Sequence, residues 1–380
     1  MLMLLRWAID LIFWLDILPL SGRYGWYLYH GGDQDLMLAL ARSILEGRPV
    51  PSPVAIGQPL MMLPWAALIR PSTYLDIVVP LTLINGFLFG GLSVALTGLI
   101  VLGITGNRRL AWWAAGLWAI TPLAGYYALF WHPDYLNQRG VIVPKLAWMN
   151  GLADPPAAFF LLLSVALLAR MLRDERQASF GQMVGVGAAL SGAVIFRIHM
   201  APVVAFLILY VLAAHSWRAL LTIAGAGLLV YLPQALYNQL VFGIPFTSGY
   251  VTTNLFDAGY WQSMLRTLPF SPAHIVETAA YFLSERAWLI VPALAMAAAA
   301  LLALIYVWRR EGWQQAALLL GVPAAYLGPL LMSWPFREDV VRFSMPAIPF
   351  LIAIVCYTIW ALWGEVQARR AGASHPEAAS

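Results

Sequence analysis

Only one cysteine and one lysine occur in this chain, and only 11% of its residues are charged. The cysteine, Cys356, lies inside the last apolar run. No intrachain disulfide and no cysteine-based metal site can therefore form, and redox compartment cannot be read from it. A soluble domain carries about 25% charged residues. Less than half that share, beside 61% hydrophobic residues, means that most of the chain is solvated by lipid or by itself. Also lacking are a repeat of 20–50 residues and a two-half pattern of broken helices, which argues against repeat-built transporters. No polar stretch is long enough for a soluble domain: the longest run to about fifty residues, below the roughly 70 at which a core of its own forms. The net charge of +4 is too small to suggest nucleic acid and suits basic residues at membrane edges.

What is abundant points the same way. Seventeen Trp and sixteen Tyr are side chains with an apolar body and a wet tip, suited to the bilayer interface. The expected fold is an all-α polytopic membrane protein. A span needs about 20 mostly apolar residues, and about ten candidates occur, near 3–20, 77–104, 110–130, 152–170, 182–197, 200–214, 218–237, 287–308, 314–333 and 344–363. The first holds Asp10 and Asp16 and no small-x-small cleavage site, so it reads as a retained span whose acids face other helices. Residues 59–70 are too few to cross and read as an interfacial or re-entrant helix. Residues 1–363 form one transmembrane domain, and 364–380, polar and small, read as a disordered cytoplasmic tail.

Arginines crowd the short connectors at Arg108–Arg109, Arg170–Arg176, Arg218, Arg309–Arg310 and Arg369–Arg370. By the positive-inside rule these face the cytoplasm. The loops near 21–76, 131–151, 238–286 and 334–343 then lie outside.

Groups able to do chemistry gather in those outer loops. Asp33-Gln34-Asp35 follows Gly31-Gly32; one acid suits a general base, while Asp33 equally suits a helix N-cap. Gln58-Pro59-Leu60 reads as a turn entering a helix, since proline fits a first helical position. In the second loop, His132 has no partner histidine at metal spacing and reads as a surface residue. Lys145 suits either a phosphate or headgroup anchoring. Asp154 before Pro155-Pro156 fits an N-cap. Arg197 and His199 sit between two short apolar stretches and acquire a functional reading only if held at membrane depth. Near the end, Arg337 and Arg342 suit a phosphate clamp, with an ion pair from Arg342 to Glu338 or Asp339 as the structural alternative.

In this order the pieces resemble the GT-C class of membrane glycosyltransferases, nearest to bacterial enzymes similar to protein O-mannosyltransferases and aminoarabinose transferases. The matching stretches are Gly32 to Gly47 with Gln58-Pro59-Leu60, then Asp154 at a helix start, Tyr237-Asn238 through Pro245 with Ser248 to Tyr250, and Arg342 to Pro349. Gln34 and Met37 stand where many relatives carry Glu or Tyr. The resemblance implies an inverting glycosyltransferase of a bacterial inner membrane, taking sugar from a polyprenyl-phosphate donor on the extracytoplasmic face. The acceptor would be a glycan, lipid or protein hydroxyl. The catalytic acid would be Asp33 or Asp35, Asp33 first because its distance to Arg42 looks like the family's acid-to-arginine spacing. Arg42, Gln58, Asp154, Tyr237 and Asn238 would line the substrate site, and Lys145, Arg337 or Arg342 would meet the phosphate. No cofactor is required; a divalent metal at Asp33 and Asp35 is compatible. A transporter or lipid flippase, or a non-catalytic assembly subunit, would need the same spans and is the alternative.

Overall fold

In lipid the backbone can satisfy its own polar groups only as helices or a closed barrel, and the long apolar runs of this chain form helices. The computed structural model describes residues 1–20, 33–129, 135–149, 151–173, 179–247, 273–285, 290–331 and 339–373. Among the described residues there is no strand, and six helices are long and apolar enough to cross a bilayer: Tyr74–Thr105, Asp154–Arg173, Trp217–Phe242, Ile290–Arg310, Trp313–Leu331 and Ile348–Ala368. The other expected spans are shorter or less apolar. Leu2–Trp14 has 13 residues, Phe180–Phe196 has 17, Ala201–Ala214 has 14, and Arg108–Ala128 has 21 but opens on two arginines.

The last helix runs from Ile348 to Ala373, past position 364 where a disordered tail is expected. Its Glu, Gln, Ala and Arg residues are good helix formers that continue the preceding turns. Residues 374–380 lie outside the described residues.

The bundle packs through small residues. Gly187 of Phe180–Phe196 lies so close to Trp217–Phe242 that a Cβ would overlap the Ile223 carbonyl, and Ser191 Oγ donates to Gly227 O at 2.7 Å. Such close backbone approach is how helices associate where lipid removes the hydrophobic drive.

Within residues 131–151, read as an outer loop, Tyr135–Leu146 is a helix and the chain after it turns into the protein. Trp148 is buried edge-on against Trp118, halfway along Arg108–Ala128, with ring centroids 5.8 Å apart. We call 139–149 with 151–153 the re-entrant segment, for its turn into the protein. Buried backbone that leaves helical geometry must find other hydrogen-bond partners. Three reach it from other helices. Arg6 Nη2 donates to Leu146 O at 2.8 Å, Gln58 Nε2 to Gly151 O at 3.0 Å, and Asn85 Nδ2 to Leu152 O at 3.2 Å. Asn85 lies in a π-helical stretch, Leu83–Gly90, inside the first long span, and Trp7 Nε1 donates to Phe87 O there at 2.6 Å. Gly151 takes φ +61°, and a Cβ would overlap the Tyr74 hydroxyl. The segment thus holds Lys145 and leads directly into Asp154, the first residue of the next helix.

Candidate functional site

Asp154 opens its helix at one end of the bundle; Arg173 closes it roughly 28 Å away at 1.5 Å per residue. Around Asp154 three chain turns converge: the start of Asp33–Leu45, the break between Phe180–Phe196 and the 3-10 turn Ile198–Met200, and the short helix Val340–Ser344.

Arg342 bridges them. Its Nη2 pairs with Asp33 Oδ2, and its Nε donates to Asp154 Oδ2 at 3.1 Å. Arg197 pairs with the other Asp154 oxygen. Lys145 Nζ donates to Asp339 Oδ2 at 2.6 Å, and Asp339 Oδ1 caps the short helix by accepting from the Arg342 amide at 3.1 Å. Phe343 floors the cluster, with the Arg197 guanidinium 4.6 Å from its ring centroid and the His199 ring edge-on at 5.9 Å. Among the described residues three carboxylates and three cations therefore balance, which is the condition for burying them.

Burial sorts their roles. The Asp154 side chain is fully buried and that of Asp339 is 17% exposed, whereas Asp33 is 38% exposed. Asp33 is the carboxylate of the network that a solvent-borne hydroxyl can approach. Burial alone would lower the pKa of Arg342, but Asp154 and Asp33 more than offset it and hold the guanidinium charged beyond the ordinary arginine range. Burial pulls Lys145 below the usual lysine value despite Asp339. Burial, then Arg197 and Arg342, push His199 down to about 3, so its imidazole is neutral at any working pH.

A small cavity of about 30 Å³ touches Asp33, Arg197, His199 and Arg342, enough for roughly one water. Through Val54, Ala55 and Ile198 it adjoins a narrow passage, which through Val194, Ile198, Tyr231 and Thr247 adjoins a groove of about 790 Å³. The groove lies between Phe180–Phe196, Ala201–Ala214 and Trp217–Phe242, and its lining is almost wholly apolar.

The structure thus joins Asp33, Lys145, Asp154 and Arg342, and adds Asp339, Arg197 and His199. Arg197 carried a visible signal, a charge interrupting an apolar hairpin; Asp339 carried only that of a helix cap. Arg342 turns away from the expected partner Asp339, whose side chain takes its amide instead. Other expected site residues are occupied elsewhere. Asp35 projects about 200° round the helix from Asp33. Arg42 is nine residues on, about 13 Å along the axis and on the opposite face, beside Glu46 and Arg70. Gln58 is fully buried with its amide on Gly151. Tyr237 donates to Val50 O at 2.9 Å, and Asn238 Nδ2 donates to Pro245 O and Thr247 O at 3.1 and 2.9 Å. These two hold loops against the passage wall. Arg337 and His132 lie outside the described residues.

Among the described residues no three His, Cys, Asp or Glu side chains converge. Asp33 is paired with Arg342, and Asp35 lies about 200° round the helix from it. No protein-family model, curated protein or solved structure matches the chain.

Proposed function

We propose that the chain is a ten-pass, GT-C-like inverting glycosyltransferase, moving a sugar from a polyprenyl-phosphate donor to an acceptor hydroxyl at the outer face of a bacterial inner membrane. The observation that carries this reading is Asp33, 38% exposed, held by Arg342 beside Arg197 in a cavity that shares Ile198 with a large apolar groove. An apolar groove fits an isoprenoid chain, and guanidinium forks fit its phosphate.

The cavity is too small for a sugar as it stands, so loading must open it. A donor phosphate competes with Asp33 for Arg342. As the guanidinium turns to the phosphate, Asp33 loses its partner and becomes available as a base. The acceptor oxygen attacks the anomeric carbon on the face opposite the phosphate, the carbon–oxygen bond to phosphate breaks, and Asp33 takes the hydroxyl proton. The configuration inverts, and the electron pair leaves on the phosphate, where Arg342, Arg197 and Lys145 stabilise it. Asp154 keeps both arginines in place. The proton leaves Asp33 for water.

Transfer of labelled sugar from polyprenyl-phosphate donors in membranes tests the reading, and full activity in the doubly substituted Asp33→Asn, Asp35→Asn protein would overturn it. A second reading, movement of a lipid across the membrane, draws on one observation, the fully buried Arg6–Asp10 pair within the first helix. Lipid flux in reconstituted vesicles without sugar transfer would favour it.

A further inference from the structure

Arg6 is an expensive residue to place where it is. It is fully buried in Leu2–Trp14, and its ion-pair partner is Asp10 of the same helix. Its Nε donates to Asp10 at 3.0 Å, its Nη1 to Trp118 O at 3.4 Å and its Nη2 to Leu146 O at 2.8 Å, and its guanidinium lies 5.3 Å from the Trp118 ring centroid. One planar fork therefore joins the first helix, the middle of Arg108–Ala128 and the re-entrant segment. The Leu146 carbonyl belongs to the last turn of its helix, where no intrahelical amide follows to take it, and Leu146 is the residue next to Lys145.

We propose that Arg6 is a positioning residue for the ionic network: its hold on the Leu146 carbonyl sets the depth at which Lys145 meets Asp339. Asp10 neutralises Arg6 locally, so Arg6 acts on Lys145 through the backbone. The contacts run from Arg6 to the Leu146 carbonyl, along the chain to Lys145, from Lys145 to Asp339, and from Asp339 to the amide of Arg342. Releasing Leu146 lets the segment rise toward water, and Lys145 leaves the low-dielectric pocket it shares with Asp339, Arg342 and Asp154.

Because Lys145 is the only lysine, selective ¹³C-lysine labelling of the full chain in detergent micelles gives a single Cε signal whose shift follows the protonation of Nζ. In the parent protein the titration midpoint is expected below the ordinary lysine value of about 10.4. In Arg6→Gln it is expected to rise by about one unit, a tenfold change in proton affinity. An Arg6→Gln protein that remains monodisperse with an unmoved Lys145 midpoint overturns the proposal, whatever its melting temperature. If Arg6→Gln does not fold, Arg6→Lys decides. It keeps the charge but not the fork, and its extra signal is assigned by difference. A partial rise at Lys145 supports the proposal and an unmoved midpoint overturns it. The measurement needs no substrate, so it stands or falls separately from glycosyl transfer.

Discussion

Two acids separated by one residue have opposite fates because a helix turns about 100° per residue. Asp33→Asn is expected to lower sugar transfer on the order of 10²-fold or more, the usual loss for a removed general base, whereas Asp35→Asn and Arg42→Gln should stay within a few-fold of the parent; initial rates in membranes measure this. The pH profile follows from Lys145. Its pKa lies below the ordinary lysine value, so raising the pH strips its proton before that of a free lysine, and the phosphate loses a cation. Activity should therefore fall on the alkaline side of a point below about 10.4, and Lys145→Arg, which stays charged, should remove that limb. His199 is already neutral, so His199→Gln should leave the profile near pH 6.5 unchanged in shape. Asp33, Asp154 and Arg342 were visible in the sequence as types suited to acid, cap and clamp. That one arginine would span both acids was not, because the three lie in separate stretches of chain.

The element that matters most is the re-entrant segment. Polar side chains from three helices each donate to one of its carbonyls, and removing Gln58 takes the side-chain donor from the Gly151 carbonyl. Gln58→Leu should destabilise the protein by about 1–3 kcal/mol, the penalty for an orphaned buried polar group, and thermal unfolding in detergent would read it. Transfer activity should fall as well, since Gly151 precedes Asp154 by three residues; an unchanged melting temperature would show that Gln58 does not hold the segment. Hydropathy could place the helices on either side, and Asp154 before two prolines marked a helix start. The inward turn stayed hidden, because residues 139–153 mix charge and apolar groups at loop-like density, and what renders them buriable comes from Arg6, Gln58 and Asn85.

For the whole molecule, the ionic cluster at Asp154 and the connector arginine Arg173, with Gly106 and Glu311 beside it, fall at opposite ends of the bundle, and glycosyl transfer from a lipid-linked donor needs the cluster outside the cytoplasm. In a Cys356→Ser background, a cysteine at the exposed position of Arg48 should react with a membrane-impermeant maleimide added to intact cells, and one at exposed Arg108 should react only after lysis. The reverse pattern would make nucleotide sugars available and remove the case for a lipid-linked donor. By itself the sequence determined that the chain is helical and embedded in lipid, because scarcity of charge and long apolar runs leave the backbone no other way to satisfy itself. It also marked the region around Asp33 and the residue types of the cluster. Only the tertiary structure decided which charges meet, which expected ligands hold loops instead, and how deep Lys145 lies. Pairing of buried charges depends on distances of a few ångströms between segments up to three hundred residues apart, and local spacing carries no information about those.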